Sequence, residues 1–434
     1  MKSSIARLST AAAVLGCLSG SGASAQSAVW VVGPPGTPGI DFVVIQAAVD
    51  ASADGDVILI KDDGGFGYGG FDVSSKSLSL VAEEGATVTI GQPVGIFDLG
   101  PNQSVVLRGL DIPNAGGPTG GLVAFFCRNN EGPIWIEDCY LKGGDLGPFA
   151  FINADESVFL DKSASVTFVR CTIPGPSLSL PTEAVESTDS GLALYDCLVQ
   201  GTKGRDAPSV AGNTDGGPAV LLQGGVLFCS GSTLVGGEGG AAMEDPFACD
   251  DAGAGGPAVL MTNVVSTTGA SVSDPLARAI GSALIGGAGG APDGSCPTGP
   301  DGPPVQVDAG LFIPLSGASH SMVVDSPVRE GTTTQMTLNG VPGELALAAI
   351  STGQVPGSYV SLLNGNEVVL AQTLAVLGVL PASGSLTIPI PVADAPGISG
   401  GITIYGQPVF ISVLAGVELF AGAPTAVTRL DAQF

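Results

Sequence analysis

The sequence is poor in histidine, in basic residues and in aromatic residues. Of its 434 residues, one is histidine (His320), 14 are Lys or Arg, and 5% are aromatic. Ser-His-Asp and Cys-His catalysis and His-ligated metals all need an imidazole, so the chain upstream of His320 cannot hold those sites. We expect His320, which lies between Ser319 and Ser321, to be an ordinary surface residue.

Long uninterrupted apolar runs are also missing after the N-terminal region. The longest, Val368–Leu380, contains Gln372 and Thr373 and falls short of the roughly 18 residues that a membrane helix needs. With 40 acidic residues against 14 basic ones, the net charge is −26, which disfavours nucleic acid and anionic membranes as partners. We expect no transmembrane segment and no nucleic-acid partner.

The N-terminus has the pattern of a secretory signal peptide. Lys2 and Arg7 precede the apolar run Leu8–Leu18, and Ala23–Ala25 is a small-x-small cleavage site. Val14–Cys17 offers a rival lipoprotein signal, in which Leu15 fits poorly. We therefore expect an exported protein, secreted or held at the cell surface, with residues 1–25 removed.

Four stretches of eight residues share one pattern and predict a β-solenoid. Positions one, three, six and eight are apolar or Cys, and successive stretches are 29, 32 and 26 residues apart. A period of roughly 20–50 residues is typical of solenoids, in which stacked coils bury a shared core. The stretches are Val105–Ile112, Ile134–Leu141, Val166–Ile173 and Leu192–Val199.

An upstream stretch resembles a known family. Its informative segments are Ile45–Val49, Gly55–Ile58, Tyr68, Phe71–Val73 and Lys76–Leu80. Together they resemble the opening of right-handed parallel β-helix proteins of the pectin-lyase-like superfamily. The resemblance implies a right-handed parallel β-helix over about Phe42–Gly302, with a short helix plugging the bore. It does not imply an enzyme, since many members lack the catalytic residues.

The repeat ends at a Gly- and Pro-rich segment, Thr298–Pro304, which predicts a linker. About seven short alternating runs follow, separated by turns such as Asn339-Gly340, and they predict a β-sandwich. The expected fold is all-β, with a β-helix over 26–303 and a β-sandwich over 304–434. Similar tail domains follow β-helices in secreted proteins of environmental bacteria.

Stacking the four stretches predicts columns of side chains. Leu107, Ile136, Phe168 and Leu194 should form one interior column, and Leu110, Cys139, Cys171 and Cys197 a second. We interpret these cysteines as apolar filler, with a disulfide between stacked cysteines as the alternative. Position five should make the bend, which places Asp138, Arg170 and Asp196 in one column. Glycine blocks such as 236–240 and 286–290 should supply turns with positive φ.

The bend column is also the best catalytic candidate. Asp138 and Asp196 lie two coils apart, about 9.6 Å by strand spacing, near the separation of an inverting glycosidase pair. The simpler interpretation is a structural column in which Arg170 links the two carboxylates. Lys203, Arg205 and Asp206 are weaker candidates for a lyase site and match no family motif.

Other residues are candidates for binding, cross-linking or calcium. Trp135 and Tyr140 flank one bend and should face outward, where a sugar ring can stack. Cys249 and Cys296 follow the two recurring glycine blocks and should pair. The acidic segment contains Glu244, Asp245, Asp250 and Asp251, with Asp245, Asp250 and Asp251 as weak calcium candidates; no other cofactor is expected.

Two functions remain open from the sequence. The first is an exported, non-catalytic surface or extracellular matrix protein that binds a glycan or a protein partner along its β-helix. The second is a carbohydrate-active enzyme, a polysaccharide lyase or a glycoside hydrolase. The lack of His and the scarcity of Lys and Arg favour the first.

Overall fold

The fold is described from a computed structural model. It covers residues 27–113, 123–144, 156–176, 182–206, 214–245, 248–263, 273–369, 371–393, 400–413 and 416–434, with the backbone alone at 244–245 and 248–250. The described residues are all-β apart from one α-helix, α1 (Ile45–Ala51), and a 3₁₀ turn at Ser361–Leu363. No helix in the described ranges is long and apolar enough to span a membrane.

Three parallel sheets make up the first part of the chain, as expected for a β-helix. Sheet 1 contains, in order, β1 (Val29–Val32), β2 (Asp56–Ile60), β4 (Leu78–Ala82), β6 (Val105–Arg108), β9 (Ile134–Glu137), β12 (Val166–Val169), β15 (Gly191–Tyr195), β18 (Val226–Ser230), β23 (Leu276–Ile280) and β26 (Leu311–Leu315). Sheet 2 contains β3 (Phe71–Ser74), β5 (Val94–Phe97), β8 (Phe125–Asn130), β11 (Val158–Ser163), β14 (Val185–Thr188), β17 (Val220–Gln223), β22 (Val259–Thr262) and β25 (Val305–Val307). Sheet 3 contains β7 (Asp111–Ile112), β10 (Tyr140–Leu141), β13 (Thr172–Pro174), β16 (Leu198–Gln200), β19 (Thr233–Val235) and β24 (Ala283–Ile285).

The inward face of these sheets forms one continuous core. Leu107, Ile136, Phe168 and Leu194 pair in register across neighbouring strands and are buried, which confirms the predicted column. The cysteines of the second column are buried too. Helix α1 buries Ile45, Ala48 and Val49 in the same core, so it packs at the N-terminal end of the bore, as the resemblance implied.

Position five of the repeat makes the bend in the six coils from β6 to β23. Asp138, Arg170 and Asp196 have φ of 54°, 52° and 51°, and Gly109, Gly231 and Gly281 hold the equivalent position with φ of 74°, 65° and 55°. This left-handed conformation is uncommon for residues other than glycine, and Asp tolerates it better than most. The predicted bend column is therefore confirmed.

The later glycine blocks form a second kind of structure, which we name the glycine bundle. It consists of 201–206, 214–218, 236–242, 252–257, 286–291 and 299–304, none assigned to a strand. Its amide donors recur every third residue: Gly236, Gly239 and Ala242 donate to Ile285, Ala288 and Ala291, while Gly237 and Gly240 donate to Gly217 and Thr214. A three-residue period matches the three residues per turn of a polyproline II helix.

The bundle glycines are needed for close approach and not for turns. None of those in the bundle has a positive φ, so that expectation was wrong. A Cβ on Gly237 would lie 1.9 Å from the carbonyl oxygen of Thr202, and one on Gly240 would lie 1.8 Å from that of Arg205. The segment predicted to be a linker, 298–304, is mostly the last segment of this bundle.

Two further sheets follow in the C-terminal region. Sheet 4 is antiparallel and contains β27 (Ser321–Val324), β29 (Thr333–Asn339) and β34 (Ser385–Pro391). Sheet 5 contains β28 (Val328–Arg329), β37 (Thr425–Leu430), β35 (Gly401–Ser412), β30 (Leu345–Ser351) and β33 (Thr373–Val379), with β36 (Glu418–Ala421) paired to β35. Two hairpins complete the fold, β20 (Met243–Asp245) with β21 (Ala248–Asp250), and β31 (Gln354–Val360) with β32 (Gly365–Val369).

The β-helix extends further than the sequence indicated. β25 and β26 pair in parallel with β22 and β23, so helical pairing continues to Leu315. The boundary expected after residue 303 is therefore too early. The linker-like composition of 298–304 was misleading, because its Gly and Pro residues serve the bundle and the chain re-enters sheets 2 and 1 afterwards.

The C-terminal region packs on the outward face of sheet 1. Trp135, Tyr195 and Phe228 share a buried apolar cluster with side chains of sheets 4 and 5. Near the N-terminal end, Ser79 and Thr403 are joined by a hydrogen bond of 2.7 Å between their hydroxyls. Further along, the Arg278 guanidinium lies 4.3 Å from the ring centre of Tyr359. Sheet 1 is thus covered on both faces.

Candidate functional site

Glu137 is the centre of a buried charge network between the β-helix and sheet 5. It is fully buried, and its carboxylate contacts Arg108 at 3.3 Å and Arg170 at shorter range. The same carboxylate accepts hydrogen bonds from the Thr425 hydroxyl at 2.6 Å and the Ala426 amide at 2.8 Å. A buried charge is tolerated when it is paired and hydrogen-bonded on all sides, so Glu137 fixes the C-terminal region on sheet 1.

Asp138, the neighbouring bend residue, is occupied by the same two guanidinium groups. Arg170 Nε donates to Oδ1 at 2.7 Å, and Arg108 Nε donates to Oδ2 at 3.0 Å. Burial alone would raise the pKa of Asp138, but the hydrogen bonds and charges of Arg170 and Arg108 hold it below its usual value. Both carboxylate oxygens are therefore engaged in structural contacts.

Asp196 differs from Asp138 although both occupy the bend column. Asp196 forms no ion pair with any described residue. The Arg170 guanidinium, which was expected to reach it, instead donates to Glu137 and Asp138. Burial raises the pKa of Asp196 to about 6, and the charge of Arg170 offsets part of that rise. Of the two contacts predicted for Arg170, the one with Asp138 is present and the one with Asp196 is not. The sequence did not indicate the parts played by Arg108 and Glu137.

A polar cavity of about 340 Å³ opens beside this network, at the junction of the two regions. Its lining includes Glu83, Glu84, Arg108, Asp138 and Asp325. The volume lies at the small end of the range for ligand pockets. Most of these charges are already paired, because Asp138 contacts Arg108 and Arg170 and Glu83 lies 3.1 Å from Arg329. The lining therefore suits hydroxyl-rich groups, which can both donate and accept hydrogen bonds.

The proposed stacking platform at Trp135 does not exist on the surface. The side chain is fully buried, its ring centre lies 5.6 Å from that of Tyr405, and its indole nitrogen donates to Glu137 at 2.8 Å. The residue points away from the bore, as expected, but the C-terminal region covers it. A sugar cannot reach it in this structure.

Tyr140 retains the exposure that Trp135 lacks. It lies on the outward face of sheet 3 with 36% of its surface exposed. In register with it, Thr172, Leu198 and Thr233 follow on successive strands. Leu198 is 44% exposed, and Ile285 at the far end of the sheet is 48% exposed. Sheet 3 therefore presents an open face of mixed apolar and hydroxyl character.

Three carboxylates that the sequence reasoning overlooked meet at the start of β11 and β14. Glu156, Glu183 and Glu186 each bring a carboxylate oxygen within 4.8 Å of the others. Burial and the charges of Glu183 and Glu156 raise the pKa of Glu186 to about 8. These oxygens are the kind of ligands that calcium takes. The register of β11 with β14 was the missing signal, since Val158 pairs with Val185 and Glu156 and Glu183 each lie two residues before these partners.

Only some of the calcium and disulfide candidates lie among the residues whose side chains are described. The side chains of Asp245, Asp250 and Cys249 lie outside the described residues, and Asp251 is exposed. Cys139, Cys171 and Cys197 are free, buried thiols, which confirms their interpretation as core filler; Cys127 and Cys229 are free and buried as well. Lys203 and Asp206 form an exposed ion pair of 3.1 Å.

His320 is buried, contrary to the expectation of a surface residue. Its Nε2 lies 2.7 Å from a carboxylate oxygen of Glu344, and its ring stacks on Phe420 with centres 4.9 Å apart. Burial lowers the pKa of His320 even though Glu344 opposes that shift. Its two serine neighbours suggested a polar loop, but it packs between Phe410 and Phe420 in the core of the C-terminal region.

Comparison with known proteins does not identify the chain. No protein-family model matches it, and no match is found among curated proteins. Its function must therefore be inferred from the geometry of its own residues.

Proposed function

We propose that this is an exported, non-catalytic protein of the cell surface or extracellular matrix, and that its β-helix binds a glycan or a protein partner. The observation that carries the proposal is the open face of sheet 3. Sheet 1 is covered by the C-terminal region, whereas sheet 3 exposes Tyr140, Leu198 and Ile285. The signal peptide and the acidic net charge of −26 support export.

The case against catalysis rests on how the titratable groups are used. Asp138 and Arg170, the best catalytic candidates, are paired with each other and with Arg108 or Glu137. The single histidine is buried against Glu344. Enzymes usually place such groups in a cleft where substrate reaches them. Here they hold the two regions together.

A hydroxyl-bearing, flat face suits a polysaccharide chain. Strands of neighbouring coils lie about 4.8 Å apart, so the Tyr140, Thr172, Leu198 and Thr233 column spans about 14 Å. An aromatic ring at one end stacks on a sugar, and the threonine hydroxyls donate and accept hydrogen bonds. Several sugar units would then lie along the column.

The decisive experiment is a binding screen with the mature chain. Polyuronides and neutral glycans would be tested by calorimetry and by assays for reducing ends and unsaturated products. We expect binding without product, and an affinity about five- to tenfold weaker in Tyr140→Ala. Phe66→Ala removes a ring that is 91% exposed elsewhere and should leave binding unchanged. Equal losses in both variants would contradict the assignment to sheet 3.

A carbohydrate-active enzyme is the second candidate, and one observation favours it. The pKa of Asp138 is lowered while that of Asp196 is raised to about 6, the separation seen between a general base and a general acid. The cavity beside Asp138 would hold the sugar. Product that disappears in both Asp138→Asn and Asp196→Asn would establish this function in place of the first.

The finer fold assignment belongs to the same proposal. We infer that the coils are right-handed, as in the pectin-lyase-like superfamily, and that sheets 4 and 5 form a β-sandwich. Their side chains share one apolar cluster, which supports the sandwich. Crystallography of the mature chain would test both statements.

The disulfide between Cys249 and Cys296 is also part of the proposal. β21 holds Cys249 opposite Glu244, and the sulfur of Cys296 lies 3.6 Å from the carbonyl oxygen of Met243 on the same hairpin. Cys296 is buried and is not among the free thiols. Non-reducing peptide mapping that recovers either cysteine as a free thiol would refute the pair.

Calcium binding by the acidic hairpin remains a proposal from the sequence alone. The candidates are Asp245, Asp250 and Asp251, adjacent to Cys249. A rise in melting temperature with calcium that Asp251→Asn abolishes would support it. An unchanged melting temperature with calcium and with EDTA would contradict it.

A further inference from the structure

Sheet 5 has an apolar face that continues past its contact with the β-helix. The face is marked by β35, whose Thr403 and Tyr405 contact Ser79 and Trp135 of sheet 1. Side chains on one face of a strand recur every second residue, so Val409 and Ile411, four and six residues after Tyr405, lie on that same face. Both are half-buried. Between Tyr405 and Val409 the hairpin β31–β32 packs on this face, because Gln407 accepts a hydrogen bond from the Val368 amide and donates one to the Asn366 carbonyl. The remainder of the face extends towards β33.

Strand register extends this surface into two apolar rows. The first row runs across four strands and contains Val379, Leu345, Ile411 and Leu419. The second contains Val376, Leu347 and Val409. Val376 and Val379 are 67% and 59% exposed, and Leu374 beside them is 59% exposed. We name this surface the sheet 5 apolar face.

The face carries almost no charge. Across β30, β33, β35 and β36, Glu418 at one rim is the only charged residue. The whole chain has a net charge of −26, so two copies repel each other wherever their charged surfaces meet. On this face two copies can approach without placing like charges opposite each other.

Strand β33 forms an unprotected edge of this face. It is seven residues long, contains neither proline nor a charged side chain, and is the last strand of sheet 5 in the described residues. Edge strands are usually blunted by charge, proline or a short length, because unpaired edges recruit other chains. By contrast, β26 at the end of sheet 1 contains Pro314.

We propose that the sheet 5 apolar face is a self-association surface, on which a second copy of this chain docks about a two-fold axis. A two-fold axis uses the same surface on both copies, and one continuous, neutral, apolar face is self-complementary. The side chains at 374, 376 and 379, with Val413 after β35 and Val417 before β36, are 59–78% exposed. With the half-buried rows, they offer on the order of 600 Å² per copy, close to the roughly 800 Å² of a standard interface.

The test is the mass of the mature chain in solution. Sedimentation equilibrium should give twice the chain mass, and the dimer should strengthen as salt rises, because salt screens the repulsion between acidic copies. Val376→Glu places two like charges at the contact and should yield a monomer with at least a tenfold weaker association. Phe66→Glu adds the same charge at a distant exposed site and should remain dimeric.

A cross-link provides a second measurement that does not depend on weakening the contact. Val379→Cys introduces an exposed thiol into a chain whose free described cysteines are all buried. Mild oxidation should then give a covalent dimer, and Val44→Cys, near α1, should not. A monomer at all concentrations in wild type, or equal behaviour of the two glutamate variants, would overturn the proposal. Pelleting of the monomer with phosphatidylcholine vesicles would overturn it in favour of a lipid surface.

Discussion

The bend column and the glycine bundle both depend on glycine, but the physical demand differs between them. In the bend column the backbone needs a positive φ, and the position is open to side chains. Asp138, Arg170 and Asp196 therefore occupy the middle of the column, with Gly109 before them and Gly231 and Gly281 after them. In the bundle φ is ordinary, but neighbouring backbones lie where a Cβ would be, and every such position is glycine.

The difference shows how one residue type supports two architectures in the same chain. Bends tolerate residues that adopt the left-handed region at modest cost, so the column can carry the charges that fasten sheet 5 to sheet 1. The bundle excludes side chains at its contacts, so its cohesion comes from backbone hydrogen bonds repeated every third residue. The bend column is held by contacts between charged side chains, whereas the glycine bundle is held by close packing of backbones.

The largest effect is expected from a methyl group inside the bundle. In Gly237→Ala the new Cβ would lie 1.9 Å from the Thr202 carbonyl oxygen, so three backbone segments must separate. We expect a loss of about 3 kcal/mol or more of unfolding free energy, at or beyond the upper range for overpacking. Urea denaturation followed by circular dichroism would measure it.

The bend column supplies the matched control. Gly109→Asn places a side chain at φ 74°, which Asn tolerates, and its Cβ meets only the Ala82 methyl group at 3.1 Å. We expect a loss of about 1 kcal/mol or less. Equal losses in Gly237→Ala and Gly109→Asn would show that the bundle glycines are not required for close approach.

A smaller loss is expected when the bend keeps its shape but loses its charge. Asp138→Asn preserves the left-handed conformation while weakening contacts with Arg108 and Arg170, and Arg108 is buried. Since Glu137 still neutralises part of the guanidinium charge, we expect a loss of about 1–3 kcal/mol at pH 7. Asp72→Asn, at an exposed position of β3, is the control. A stability equal to wild type would show that the network is not part of domain docking.

The sequence predicted the repeat, the interior columns and the bends, because each follows from a local pattern that stacking multiplies. It did not predict which outward faces are covered. Trp135 and Tyr140 are equivalent by pattern, and only the docking of sheet 5 separates them. One signal was available: outward positions two of the repeat are Val106, Trp135, Thr167, Ala193 and Phe228. A strand that is apolar on both faces is typical of a sheet covered on both sides.

Glu137 and the bundle were harder to predict for a related reason. Glu137 acquires its role from Thr425 and Ala426, nearly 290 residues away, and no local motif encodes that contact. The glycine blocks resemble turn sequences, since turns and close backbone contacts select the same residue. Their three-residue spacing of glycines was the only local sign of a polyproline II period.

The smallest effect is expected at Asp196, where removal of the charge should raise the free energy of unfolding and not lower it, as it should at Asp138. Burial raises its folded pKa to about 6 from the usual 3.8, so the folded state binds the proton more tightly than the unfolded state. Ionisation of Asp196 therefore destabilises the fold; this penalty is complete above pH 6 and disappears as the pH falls below about 4. Asp196→Asn keeps the bend and removes the charge, so the variant should be more stable than wild type at pH 8 by about 1–2 kcal/mol. The two should become equal near pH 4. Urea denaturation from pH 4 to pH 8 would measure the difference, with Asp138→Asn moving in the opposite direction at pH 8. A variant less stable than wild type at pH 8 would mean that Asp196 has a stabilising partner in solution. Both aspartates of the bend column would then stabilise the packing of sheet 5 on sheet 1.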